Sequence, residues 1–267
     1  PRGDPIFSRY KRIMTQGTFQ SKQAIAQLVE LDRIRVWSVV ITIFGDAVVD
    51  RGGTVASTTL AALIGEMGIK PEAFRVAMSR LTKDGWVVRS RRGRLSFYQL
   101  SAKGVSVFGP ATKRIYAPSP GSADGWRLVV LQNAADDAPE DAVALGGRTY
   151  LTKRRDHVAD GLVVSGPFVT VPDWTKDRIG TPEVARGYTE LRAVLQGLSV
   201  AHATPMEAAA LRVLIVHQWR RLVLRHADLP LSFFPDAWQG ETCRALVRQL
   251  LADLAPAANA WFDTEIP

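Results

Sequence analysis

At 267 residues, with 46% hydrophobic and 22% charged side chains, the chain has the composition of a folded protein with room for two or three domains, which excludes a disordered one. A single cysteine excludes an intramolecular disulfide, Pro1 to Thr15 lacks the apolar segment of a signal peptide, and no apolar run approaches the ~20 residues of a membrane span. The expectation is a soluble, cytoplasmic chain with no membrane partner. Its charge of +8 is carried by one part: residues 1–110 hold 17 Lys and Arg against 8 Asp and Glu, and residues 111–267 hold 17 against 18. That asymmetry points to a polyanion-binding part joined to a part with another task.

Residues 1–30 read as a loose basic arm followed by a short helix from Ser21 to about Glu30. Arg33 to Phe44 gives a strongly apolar helix with Ile34, Trp37, Val40, Ile41 and Phe44 on one face. Gly45-Asp46 and the Asp50-Arg51-Gly52-Gly53 turn break the chain. Thr54 to Ala56 then forms a short strand, and Ser57 caps a helix containing Leu60, Leu63, Ile64 and Met67, closed by Gly68.

Lys70 to Gly104 is the most informative stretch. Pro71 and Glu72 suit the first turn of a helix, and Phe74, Ala77, Met78 and Leu81 form its apolar stripe. Gly85 ends it. Trp86–Ser90 and Leu95–Leu100 read as strands around the tight turn Arg91-Arg92-Gly93-Arg94. An amphipathic helix or an arginine-rich turn alone is an ordinary solvated feature. The order helix, Gly, strand, basic turn, strand is that of a winged helix-turn-helix, and the four arginines among Arg89 to Arg94 repel one another unless an anion joins them. The expected partner is double-stranded DNA, with Glu72, Arg75 and Ser79 nearest the bases, Arg91, Arg92 and Arg94 on phosphates or the minor groove, and Lys83 and Arg89 also among the DNA-binding residues.

Beyond residue 110, Trp126–Leu131, Arg148–Thr152 and Gly161–Val171 (broken at Gly166-Pro167) read as strands, and Pro139–Leu145 as at most two helical turns. Only eight residues lie between Thr152 and Gly161, too few for a second helix. From Pro182 the chain reads as helical, over Glu183–Leu198, Pro205–Arg225 and Glu241–Leu254. His217, Arg220 and Arg221 share a helix face, where fixing helix contacts and binding an anion are both open readings. No nucleophile motif, phosphate-binding glycine loop or metal-ligand spacing occurs, so catalytic residues, metal and cofactor are all read as none.

Three stretches, FGDAVVDRGGTV, LTKDGWVVRSRRGRLSFYQLSAKG and RIYAPSPGSADGWRLVVL, resemble segments of the PaaX family, repressors of bacterial phenylacetate-degradation operons. VHQWRRLVLRHADLPLSFFPDAWQG and LAPAANAWFD are similar to that family's carboxy-terminal region. The resemblance implies an α+β, mostly helical chain. Its expected units are an arm and short helix over 1–30, a winged helix over 31–110, a small ferredoxin/Cas2-like middle domain, truncated by the short connection, over 111–180, and a helical effector and dimerisation domain over 181–267. It also implies release from DNA by phenylacetyl-CoA or a similar aryl-acyl-CoA. Lys153, Arg154, Arg155, His217, Arg220 and Arg221 are candidates for the CoA phosphates, and Trp219, Trp238 and Phe233 for the acyl group. A homodimer on an inverted repeat, joined by the carboxy-terminal helices, is the expected assembly. The alternative is a constitutive or architectural DNA-binding protein without an effector.

Overall fold

The computed structural model describes residues 20–132, 142–153 and 161–266. The chain is mixed α/β and mostly helical, with two small antiparallel sheets among the described residues. A first helix, α1 over residues 20–30, buries Ala24, Ile25 and Leu28. α2 (Val36–Ile43) buries Val39, Val40, Ile41 and Ile43. The break expected at Gly45-Asp46 is absent. The chain continues through a π-helical turn (Phe44–Val48) and a 3-10 turn (Val49–Arg51), leaving helical geometry only at Gly52 and Gly53, with φ of 79° and 74°. Gly45 is required for a different reason: a Cβ there would lie 1.8 Å from Phe108 Cε1.

β1 (Thr54–Ala56), α3 (Ser57–Glu66), α4 (Pro71–Lys83), β2 (Val87–Arg92) and β3 (Leu95–Leu100) follow in the expected order. β3 lies between β1 and β2, so Tyr98 faces Val55 on one side and Arg89 on the other. α3 and α4 end alike, with the Ile69 N–H donating to Ile64 O (3.3 Å) and the Trp86 N–H to Leu81 O (2.9 Å), each around a left-handed glycine, Gly68 or Gly85. Ser57 is not a cap: it is the first helical residue, and the cap position is Ala56, which has no side-chain acceptor. The hairpin turn is only Gly93-Arg94, so Arg91 and Arg92 lie on β2 rather than in the turn. α5 (Ala102–Ile115), unforeseen because Gly104, Gly109 and Pro110 interrupt its pattern, starts where Ser101 Oγ accepts the Gly104 N–H at 3.1 Å. Residue 110, the expected edge of the amino-terminal unit, falls inside it.

The second sheet contains β4 (Arg127–Leu131), β5 (Val143–Gly146), β6 (Thr149–Thr152) and β7 (Gly161–Ser165), in the order β5-β6-β4-β7 with every neighbour antiparallel. This is the order of a split βαβ unit. Residues 133–141 and 154–160, which include the start of the expected helix at 139–145 and most of the short second connection, lie outside the described residues. From Val143 on, that expected helix is a strand, paired with β6. The strand expected to reach Val171 stops at Ser165.

α6 (Asp173–Ile179), not expected, precedes α7 (Pro182–Gly197), α8 (Pro205–Val223) and α9 (Gly240–Glu265). α8 opens with a capping box, in which Thr204 Oγ1 accepts the Glu207 N–H and Glu207 accepts the Thr204 N–H. It is buried around most of its circumference, because α2, α3, α5, α7 and α9 all pack on it, and Ala208, Ala209 and Ala210 allow close approach. α9 was expected to stop at Leu254. It runs on past Pro256 because Ala258 and Phe262 are fully buried, and tertiary packing outweighs a lost backbone hydrogen bond. One apolar cluster extends from Ala24 to Ile266, so the amino- and carboxy-terminal parts share a core.

A buried charge ties these parts together. The π turn aims Asp46 inward, where its carboxylate accepts Arg212 Nε and Nη2, both at 2.8 Å, and the Tyr116 hydroxyl beyond α5. The Asp46 side chain has no solvent exposure and that of Arg212 18%. Removing one partner leaves the other desolvated and unpaired, so Asp46→Ala is expected to lower unfolding free energy by ~3–5 kcal/mol, whereas Asp46→Leu with Arg212→Met should cost far less. Urea denaturation of the two variants checks this; equal losses would contradict it.

Two histidines in this core remain neutral. Burial, with Arg220 and Arg221 nearby, pushes His217 down to about 3. Burial, with Arg114 and Arg244 nearby, pushes His226 down to about 4. An unfolded histidine titrates near about 6.5, so as pH falls below that the unfolded chain takes up protons the folded chain refuses. Stability is therefore fully present above about pH 6.5 and declines towards pH 4, by up to about 1.4 kcal/mol per pH unit for each histidine. Urea midpoints at pH 7, 6 and 5 should fall in that order, and a flat series would contradict the burial of neutral rings.

Candidate nucleic-acid interface

α4 is oriented by its buried stripe, Phe74, Ala77, Met78 and Leu81, which leaves Glu72, Arg75, Ser79 and Lys83 on the exposed side. Arg75 Nη2 donates to Glu72 Oε1 at 2.7 Å, but both side chains are over 70% exposed, so the pair holds the arginine only weakly and an anion can displace it. Beside α4, alternation along β2 places Arg89 and Arg91 on one face and Arg92 on the other. Arg89 donates through Nε and Nη2 to Ser96 Oγ across the hairpin, at 3.1 and 2.6 Å. Arg92 lies 5.0 Å from the Phe97 ring centroid on the opposite face. Arg94 is in the turn, next to Gly93, whose φ of 62° disfavours other residues.

The structure thus brings Arg75, Ser79, Lys83 and Arg89 together around one open groove of about 740 Å³ between α3, α4 and the hairpin. Three cations and no carboxylate line it. Glu72 does not line it but pairs with Arg75, Arg91 shares the Arg89 face, and Arg92 is turned away. Ser57 and Thr58 at the start of α3 add hydroxyls to the groove, a contribution missed in the sequence because Ser57 was assigned to a cap.

The candidate effector residues are scattered. Lys153 lies 5.3 Å from the Trp126 ring centroid, on the second sheet, and Arg154 and Arg155 fall outside the described residues. Trp219 is fully buried and donates to Ile115 O at 2.8 Å. Arg220 donates to Ser38 O and Oγ, at 2.9 and 2.6 Å. Trp238 stacks on Phe234 at 4.4 Å and meets Tyr188 and His226 edge-on, and the cavity left there is only about 10 Å³, no more than one water. That aromatic cluster is closed to an acyl group. Among the described residues of the set, His217 and Arg221 alone line a large cavity, about 690 Å³ between the α1–α2 junction, α7 and α8. No group of three or more His, Cys, Asp or Glu able to hold a metal ion occurs among the described residues, and none of their helices is long and apolar enough to cross a membrane.

A family model described as PaaX-like protein matches residues 35–104, the span from α2 through the hairpin, and a model for the PaaX-like protein C-terminal domain matches residues 181–264. The transcriptional repressor PaaX of Escherichia coli strain K12 is 27% identical over 258 residues, covering 84% of this chain and 82% of that one. Among solved structures, the uncharacterized protein Rv0674 from Mycobacterium tuberculosis superposes with a TM-score of 0.50 at 20% identity, covering 84% of this chain and 97% of its own, a likeness of fold alone. With the basic α4 groove lying in one matched region and helices α7 to α9 in the other, the chain belongs to the PaaX family of transcriptional repressors.

Proposed function

We propose that this protein represses transcription by binding operator DNA through a winged helix-turn-helix, with α4 as recognition helix and β2–β3 as wing. The observation that carries the reading is the carboxylate-free groove in which Arg75, Lys83 and Arg89 converge. Phosphate contacts from the wing set register, and α4 side chains read base edges in the major groove. A single such unit reads only a few base pairs, so a homodimer on an inverted repeat supplies the specificity. The apolar stripes of α7, α8 and α9 are buried within the chain itself, which leaves the exposed apolar side chains of α5 and β7, such as Val105 and Leu162, for contact with a second copy.

The resemblance set out above makes an aryl-acyl-CoA, phenylacetyl-CoA first, the effector that releases the operator, in control of a phenylacetate catabolic operon. The 690 Å³ cavity behind α2 favours an effector-responsive repressor over a constitutive DNA-binding protein, which has no use for one.

DNA affinity measured at several salt concentrations tests the interface. Arg89→Ala and Arg91→Ala should each weaken binding on all sequences and flatten the log–log salt slope by about 0.9 per lost phosphate contact. Arg75→Ala should alter sequence preference by ~1–3 kcal/mol at one base pair if it reads a guanine. Arg92, on the other face, should matter less than Arg91. Unchanged affinity and slope in Arg89→Ala with Arg91→Ala would overturn the wing assignment.

A further inference from the structure

The cavity between α2, α7 and α8 has a floor with an unmet hydrogen bond. Thr42 Oγ1 donates to Ser38 O (3.0 Å) and lies 3.1 Å from His217 Nδ1, and with that hydrogen spent we assign the ring proton to Nδ1, which then donates to Thr42. With the ring neutral, Nε2 is then an acceptor, and no donor reaches it among the described residues, although His217 is only 1% exposed. A buried acceptor without a donor is costly unless something else supplies one.

The walls are basic. Arg33, Arg35, Arg186, Arg221 and Arg225 line the cavity against Asp32, Glu183 and Glu190, a surplus of two positive charges. Arg221 pairs with Asp32, and Arg225 with Glu183 at 3.2 Å. No ion pair or side-chain hydrogen bond holds Arg33, Arg35 or Arg186 among the described residues, and all three are exposed at the mouth. Trp37, Leu191 and Leu222 provide apolar surface between mouth and floor.

We propose that this cavity is the regulatory site, and that it takes an organic dianion, a phosphate ester or dicarboxylate, whose charge sits on Arg33, Arg35 and Arg186 while an N–H or O–H further along donates to His217 Nε2. Guanidinium forks suit such groups, and a cavity of 690 Å³ holds a molecule of drug-like size. Its link to DNA is α2: Trp37 and Ser38 face the cavity, while the same helix packs against α4 and leads into Asp46. A ligand that shifts α2 shifts the platform of the recognition helix. This regulatory role rests on the repressor reading; occupation of the cavity does not.

Calorimetry on the full chain without DNA separates the two. Phenylacetyl-CoA, a phosphate ester with amide N–H donors, should bind at least tenfold more weakly to Arg186→Glu and to His217→Asn, whose amide keeps the Thr42 contact but offers no acceptor in the Nε2 position. Inorganic pyrophosphate should weaken with Arg186→Glu and respond little to His217→Asn. Arg186→Glu, altered at an exposed side chain without a partner, should keep wild-type melting and DNA affinity. Wild-type binding of phenylacetyl-CoA by both variants overturns the cavity assignment and leaves the effector reading intact. Failure of wild-type protein to bind phenylacetyl-CoA, with pyrophosphate still sensitive to Arg186→Glu, removes that effector and keeps the site. Pyrophosphate binding that is absent, or indifferent to Arg186→Glu, in a protein that also ignores phenylacetyl-CoA overturns the site itself.

Discussion

The Asp46–Arg212 pair is the constraint on which the arrangement depends. A carboxylate with no solvent exposure is tolerable only when its partners are fixed, and here they come from α8 and from the segment after α5. The residue that meets both is set on its inward face by the π turn, where one extra residue rotates the chain after α2. Gly45 permits the same turn to lie against Phe108 of α5. The amino-terminal α/β unit is therefore anchored to the carboxy-terminal helices rather than tethered by a linker.

From that anchor the rest follows in layers. α8 is the axis, clad by α2, α3, α5, α7 and α9, and its polar side chains make specific ties instead of a solvated face. Gln218 Nε2 donates to Leu28 O at 2.7 Å, Trp219 to Ile115 O at 2.8 Å and Arg220 to Ser38. Each tie reaches a different element of the amino-terminal part. α4 does not depend on α8 directly; it rides on α2 and α3, so its position registers whatever moves α2.

Local signals made much of this legible. The order of elements from α2 to β3 follows from periodicity, glycines and the basic hairpin, because each device acts over a few residues. The outer face of α4 was legible for the same reason, since its buried stripe fixes which residues remain outside. The π turn at Gly45-Asp46 was not: glycine beside aspartate ordinarily signals a break, and only the distant Arg212 gives that aspartate a reason to be buried. α5 was hidden by Gly104 and Pro110, and the last turns of α9 by Pro256, where tertiary packing outweighs local preference. The cavity was half visible. His217 and Arg221 drew attention as neighbours on one helix, but Arg33 and Arg35 come from the α1–α2 junction and Arg186 from α7, and no spacing rule unites these with α8. Trp238 and Phe233 suggested an apolar pocket, but Trp238 stacks on Phe234 and Phe233 meets Phe168 edge-on, so each ring is already covered.

Coupling between the α4 groove and the cavity is the central claim, and binding equilibria must obey it in both directions. The most direct measurement is the affinity of the full chain for phenylacetyl-CoA, free and saturated with operator DNA, alongside its affinity for that DNA with and without saturating phenylacetyl-CoA. Transmission through α2 requires both affinities to fall by the same factor, at least about tenfold, within the usual ~1–3 kcal/mol of allosteric coupling. Equal phenylacetyl-CoA affinity in the free and DNA-bound protein would contradict it.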